Sequence, residues 1–188
     1  MNIGIYGGLF DPVHLGHEAV VSWVMPRYAL QKLFVVPVGV PSHRAEGAAS
    51  AEDRLAMCRL AFAGMPDVIV SDMEVRDPEP AYTYDTLRNF RKLCGEAHQY
   101  YEIIGEDSLA YFDQWKNYRG ILALSRVIVL KRAGYRGLLR HENILQADSP
   151  DFPLSSTEVR AAIREGRDIG QMVSPEVAAY IGQYGLYK

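Results

Sequence analysis

The sequence predicts an α/β fold: a parallel sheet with helices on both of its faces. Two observations carry this. Short apolar runs recur at residues 3–6, 33–36, 68–70, 100–104 and 127–130, and stretches with helical spacing separate them. Such alternation implies right-handed crossovers between parallel strands. The run Leu33-Phe34-Val35-Val36 is also apolar throughout rather than alternating, the mark of a strand covered on both faces.

The first strand, residues 3–6, runs into Gly7-Gly8 and then a helical pattern, with Val20, Val21, Trp23 and Val24 at mixed spacings of three and four. Pro26 should end or kink that helix. The second strand ends at Pro37, and residues 38–49 form a loop rich in Gly, Pro and small residues. Ser50-Ala51-Glu52-Asp53 resembles an N-cap with an acidic first turn. Leu55, Met57, Leu60, Ala61 and Phe62 give that helix its apolar face, and Gly64 with Pro66 stops it. Residues 68–70 are the third strand. Residues 74–81 carry charges and two prolines and read as loop. Thr83 is the expected N-cap of a helix through Leu87, Phe90 and Leu93, ended by Gly95.

The fourth strand, residues 100–104, is followed by Gly105-Glu106-Asp107-Ser108. Leu109, Phe112 and Trp115 recur at three-residue spacing and predict a helix. A short helix over residues 118–124 precedes the fifth strand, which Lys131-Arg132-Ala133-Gly134-Tyr135 closes. Residues 136–149 are poorly patterned, with a last short strand expected at 143–146. Ser155 and Glu158 fit the S-x-x-E capping box. Gly166 ends that helix, and Ser174-Pro175-Glu176 opens the last one. No repeat or linker interrupts the pattern, so residues 1–188 read as a single domain.

Composition narrows the class. The chain has 188 residues, 48% of them hydrophobic and 23% charged, which is ordinary for a globular domain. A net charge of −3 argues against bulk nucleic-acid binding. Cys58 and Cys94 form no CxxC and have no histidine at ligand spacing, which argues for a reducing compartment and against a zinc site. No metal cage of histidines and carboxylates stands out. Met1 and Asn2 lead straight into a strand, which predicts no signal peptide, and no apolar run reaches membrane-spanning length. The expected location is cytoplasmic, with no membrane partner; a homo-oligomer is left open.

In parallel sheets, ligands bind outside the carboxyl ends of the strands. Four polar stretches fall there: residues 7–17, 37–44, 105–108 and 131–135. The helix opening at Ser155 adds a fifth. Gly7 and Gly8 let the backbone turn sharply, and the following helix start offers unpaired N–H groups to an anion. His14 and His17, three residues apart, can reach the same side. Together with His43, Arg44, Arg132, Ser155, Ser156, Thr157 and Arg160, they suit phosphate charge.

The pattern Gly8-x-Phe10-x-Pro12-x-His14-x-Gly16-His17 resembles the HxGH nucleotidyltransferase superfamily, whose fold is a Rossmann-like parallel sheet. Within it, several segments resemble the bacterial nicotinate mononucleotide adenylyltransferases: Gly7 to His17, Pro41-Ser42-His43-Arg44, Arg54 to Met57, Tyr82 to Leu87, Ile103 to Leu109 followed by Trp115, Arg132-Ala133-Gly134-Tyr135, and Leu154 to Arg160. Seven segments in one order are more specific than any one of them. Ser42 and Ala133 each stand where the family pattern has proline, and Leu9 takes a position that is often Thr or Ser.

The resemblance implies transfer of AMP from ATP to nicotinate mononucleotide, with magnesium accompanying ATP. It implies that His14 and His17 are catalytic and contact the ATP phosphates. Gly7, Gly8, Phe10, Gly105, Asp107, Ser155, Ser156, Thr157 and Arg160 would bind ATP. His43, Arg44, Thr83, Trp115 and Arg132 would bind the mononucleotide, with Trp115 on the pyridine ring. Taken alone, several of these residues have plainer readings: Trp115 as core, Ser155 as a cap, Asp107 as a cap, Arg132 as a surface charge. Alternatives keep the chemistry with nicotinamide mononucleotide or phosphopantetheine, move it to cytidylyl transfer, or lose turnover and leave a nucleotide-binding protein.

Overall fold

The computed structural model describes residues 1–42, 47–131 and 139–188. The chain begins with β1 (Asn2–Gly8), α1 (Leu15–Arg27), β2 (Lys32–Pro37), β3 (Val40–Pro41), α2 (Ala51–Phe62) and β4 (Val68–Val70). It continues with β5 (Pro80–Ala81), α3 (Thr83–Cys94), β6 (Gln99–Gly105), α4 (Glu106–Leu109), α5 (Tyr118–Leu124) and β7 (Arg126–Leu130). It closes with β8 (Ile144–Gln146), α6 (Ser156–Arg164) and α7 (Pro175–Tyr184).

Six strands form one sheet in the order β4-β2-β1-β6-β7-β8, and every pairing is parallel. Alternation along the strands divides the core in two. Leu33, Val35, Tyr101 and Ile103 pack with Val20, Val21 and Val24 of α1, Met57 and Cys58 of α2, Val159 of α6 and Val177 of α7. On the other face, Ile3, Ile5, Tyr100 and Ile104 pack with Leu87 and Phe90 of α3, Leu109 of α4 and Ile121 of α5. The predicted sheet with helices on both faces is what forms. Cys58 is buried and Cys94 half-buried, both as free thiols. Among the described residues, no helix is long and apolar enough to cross a membrane.

Four local expectations change. Thr83 is the first residue of α3, and Tyr82 holds the cap position. Leu60 is 36% exposed. The buried stripe of α2 runs through Arg54, Leu55, Met57, Cys58 and Ala61, and at 100° per residue Leu60 falls on the opposite side. No single helix spans Leu109 to Trp115. After α4, the amides of Tyr111, Gln114 and Trp115 bond to carbonyls three residues back. A three-residue apolar spacing matches that tighter 3₁₀ winding, not the 3.6 period of an α-helix. Within the stretch read as loop, Pro80 and Ala81 form β5, which pairs in parallel with β3. Pro26 lies in the last turn of α1, where the helix ends one residue later.

Candidate active site

Numbering only the six strands of the large sheet, their order is 3-2-1-4-5-6, and the direction of winding reverses between β1 and β6. Loops leaving two such strands diverge to opposite faces, which opens a crevice at their carboxyl ends. Gly7-Gly8 and Gly105 end those two strands, and a cleft of about 870 Å³ opens above them.

One lobe lies over the α1 and α6 face. His14 caps α1 and is 4% exposed. His17 is one turn on, and the two imidazoles stack with centroids 3.7 Å apart. The His14 amide donates to His17 Nδ1 at 3.2 Å. A ring nitrogen that accepts carries no proton, so the proton of a neutral His17 sits on Nε2. The ring of Phe10 packs edge-on to His17 at 4.9 Å. Gly16 is required by close approach: a Cβ there would lie 3.0 Å from Nδ1 and Cε1 of His14. The glycine between the histidines thus makes room for the first of them.

The first turn of α6 is fastened to the same loop. Ser156 Oγ donates to the Pro12 carbonyl at 2.9 Å, and Arg160 Nη1 donates to the Asp11 carbonyl at 2.6 Å. Arg160 Nη2 also donates to Thr157 Oγ1 at 3.3 Å. Ser155 completes the predicted capping box with Glu158. The Asp11 carboxylate is buried and accepts from the amides of Ala48 and Ala49 and from the Tyr187 hydroxyl. Burial, then the neighbouring Asp11 charge, push the Tyr187 phenol far above its ordinary range.

Beneath the loop lies Arg54, 2% exposed. Its guanidinium donates to the carbonyls of Leu9 at 2.8 Å, Gly39 at 3.3 Å and Ala49 at 3.4 Å. Three separate chain segments are thereby held to one planar group. Desolvation lowers its pKa, opposed first by Asp11.

The second lobe lies over the α3 face and is lined by Thr83, Thr86, Glu74, Glu102, Trp115 and Lys116. Trp115 is half-buried and packs on Phe112 at 5.2 Å. Thr86 Oγ1 donates to Glu74 Oε1 at 2.5 Å. Burial pushes the Glu74 carboxyl up to about 7, against the Thr86 hydrogen bond. Glu102 is raised well above the carboxylate range by burial and then by Glu74.

Thirteen of the sequence-predicted residues line the cleft: Gly7, Gly8, Phe10, His14, His17, Thr83, Gly105, Asp107, Trp115, Ser155, Ser156, Thr157 and Arg160. Phe10 itself is 2% exposed, and its ring supports His17. His43, Arg44 and Arg132 lie outside the described residues. Asp11, Arg54, Glu74, Glu102 and Arg164 carry no sequence-predicted role. A charge within the apolar stripe of α2 was the available signal for Arg54; Glu102, inside an apolar strand, was the other.

Residues 5–162 match the cytidylyltransferase-like family. A protein of Fusobacterium nucleatum named "Probable nicotinate-nucleotide adenylyltransferase" is 36% identical over 187 residues, covering 96% of this chain and 97% of its own. One of the same name from Caldicellulosiruptor saccharolyticus is 34% identical and covers 100% of both chains. In structure, Plasmodium falciparum nicotinic acid mononucleotide adenylyltransferase complexed with NaAD superposes with a TM-score of 0.80 at 21% identity, covering 99% of this chain and 97% of that one. At that identity the superposition speaks to the fold.

Proposed function

Because the chain belongs to the cytidylyltransferase-like family, and within it to the nicotinate-nucleotide adenylyltransferases, we infer that it transfers AMP from ATP to nicotinate mononucleotide, giving deamido-NAD and pyrophosphate in NAD biosynthesis. The full-length similarity to relatives of that name supports the activity. One structural observation carries the assignment of residues. The His14–His17 turn and the first turn of α6 face one lobe, and Trp115 and the first turn of α3 face the other, across a single switch-point cleft. We read residues 1–188 as one nucleotidyltransferase domain.

The chemistry needs little from side chains beyond placement and charge. A phosphate monoester has a second pKa of roughly 6, so the acceptor is largely ionised at neutral pH and requires no general base. The enzyme must align two anions and stabilise negative charge on the α-phosphate and the departing pyrophosphate. His17 offers Nε2–H to that charge, and His14 lies against it on the same turn. The N-terminal N–H groups of α6, with Ser156, Thr157 and Arg160, hold the other phosphates. Asp107 and Gly105 line the ribose region. Trp115 lies along the pyridine ring, and the first N–H groups of α3, at Thr83, face its carboxylate.

Among the described residues, no group of three His, Cys, Asp or Glu side chains is placed to hold a metal ion. We propose that magnesium accompanies ATP, held mainly by the nucleotide phosphates and water, as suits a hard cation that keeps much of its hydration shell.

The test is pyrophosphate release from MgATP with nicotinate mononucleotide and nicotinamide mononucleotide in parallel. Turnover with a preference for the acid is the expected result. Preference for the amide moves the acceptor, and no release with either overturns the reading.

A further inference from the structure

The two lobes differ in charge. His14, His17, Arg160 and Arg164 gather on the α6 side. On the α3 side two acidic groups, Glu74 and Glu102, lie in the wall, and Lys116 is held by Asp85 at 2.8 Å. An acidic wall is an odd companion for a substrate that carries a carboxylate.

Glu102 sits on β6 with its Cα paired to Ile5 of β1 and Val127 of β7. It is 3% exposed, and its Oε2 has no hydrogen-bond partner. A Cβ on Gly7 would lie 3.9 Å from Glu102 Oε1, so the carboxyl lies beneath the glycine turn. Glu74 is tied to Thr86, one helical turn beyond Thr83. Glu74 thus lies close to the start of α3, and Glu102 lies near enough to Glu74 for their charges to interact.

We propose that Glu74 and Glu102 set how strongly the site prefers a pyridine mononucleotide bearing a carboxylate over one bearing a carboxamide. The inference rests on the proposed adenylyl transfer to a pyridine mononucleotide. Protonated, the two groups add no charge to the wall. Ionised, they repel a carboxylate and leave a carboxamide untouched. Because the two substrates differ by one negative charge at the same ring position, the sign does not depend on the fine geometry.

The groups around the pair are few. Ile5, Val36, Ile104 and Ile121 line that part of the cleft without charge. Glu74 is the one charged group bearing on Glu102 among the described residues. Asp77 bears on Glu74 and opposes its ionisation. Tyr82, Glu79, Asp85 and Lys116 lie further out at the rim, and Asp107 lies at the end of the strand. Glu74 and Glu102 therefore titrate as a coupled pair.

The experiment compares kcat/KM for nicotinate and nicotinamide mononucleotides, at saturating MgATP, between about pH 6 and about pH 8.5, the window in which a carboxyl raised to near neutrality loses its proton. The acid-to-amide ratio should fall roughly tenfold across it, the scale of one unit charge acting at short range. E74Q/E102Q should hold the ratio flat at its low-pH value. E74Q alone should leave a smaller fall, carried by Glu102. A structural role would slow both substrates alike and leave the ratio unchanged. A flat ratio in the wild-type protein overturns the inference, even if the variants fail to fold. So does a double variant that keeps the wild-type fall. Absence of turnover with both mononucleotides overturns the functional reading, and the inference with it; turnover with a flat ratio overturns the inference alone.

Discussion

The backbone amide of His14 donates to Nδ1 of His17 at 3.2 Å, while the two rings stack at 3.7 Å. A helix cap and the donor we propose for a developing oxyanion are thereby the same residue pair. The helix start sets the His17 tautomer, and the tautomer decides which nitrogen presents a proton.

His17→Ala removes that donor. Loss of one preorganised donor to a developing oxyanion costs about 2.7–4 kcal/mol, on the order of 10²–10³ in turnover. Pyrophosphate release should fall by that factor while the thermal midpoint stays near that of the wild type. Near-normal turnover would remove His17 from the chemistry.

Trp115→Ala should raise KM for the pyridine mononucleotide more than for ATP. The side chain is half-buried at the cleft rim against Phe112, so its truncation leaves the deep core intact. Equal weakening of both substrates would return Trp115 to a packing role.

Arg54→Met deletes a buried cation that serves the carbonyls of Leu9, Gly39 and Ala49. Those acceptors, the Ala49 bond buried and the other two part-buried, would lose their partner. Leaving a buried or part-buried acceptor without its partner costs about 1–3 kcal/mol, so losing all three costs on the order of 3–5 kcal/mol. Urea unfolding should report that loss. Arg54→Lys should recover only part of it, because an ammonium cannot reproduce the planar fork. A loss below about 1 kcal/mol would contradict the account.

Gly39→Ala should be more damaging than Gly7→Ala. A Cβ at Gly39 would meet the Glu74 carbonyl oxygen at 2.0 Å, whereas at Gly7 it meets only Glu102 Oε1 at 3.9 Å. Backbone cannot rotate out of the way as a side chain can. Melting curves of the two variants test the order, and the account fails if Gly7→Ala is the less stable.

Glu74 makes stability depend on pH. Its folded pKa, about 7, lies above the ordinary carboxylate value of 4.5. Between those values the folded protein holds a proton that the unfolded chain has released, so stability falls as pH rises through the window. The contribution approaches roughly 3 kcal/mol by the top of it. Chemical denaturation of E74Q against wild type, at about pH 5 and about pH 7.5, should show this fall reduced in the variant. An unchanged slope would place the dependence elsewhere.

Much of the fold is legible because its signals are local. The apolar run at residues 33–36 and the alternation of runs with helical spacing need no distant information. Ser155–Glu158 forms its capping box within four residues. The misreadings are of a different kind. Leu109, Phe112 and Trp115 keep a period of three, which fits both a loosely read helix and a 3₁₀ turn. The β3–β5 pairing joins residues 40 and 80 apart from any periodic pattern.

The site divides along the same line. By itself, the sequence determined the parallel α/β architecture, the glycine turn with its two histidines, and the polar stretches at the strand ends, because each is written in neighbouring residues. Only the tertiary structure decided that Arg54 lies beneath that turn, that Asp11 binds Ala48, Ala49 and Tyr187, and that Glu74 and Glu102 share one wall. Those relationships join residues far apart in the chain. They arise because the sheet order places β1 beside both β2 and β6, and burial then imposes on each polar group a partner or a proton that local pattern cannot encode.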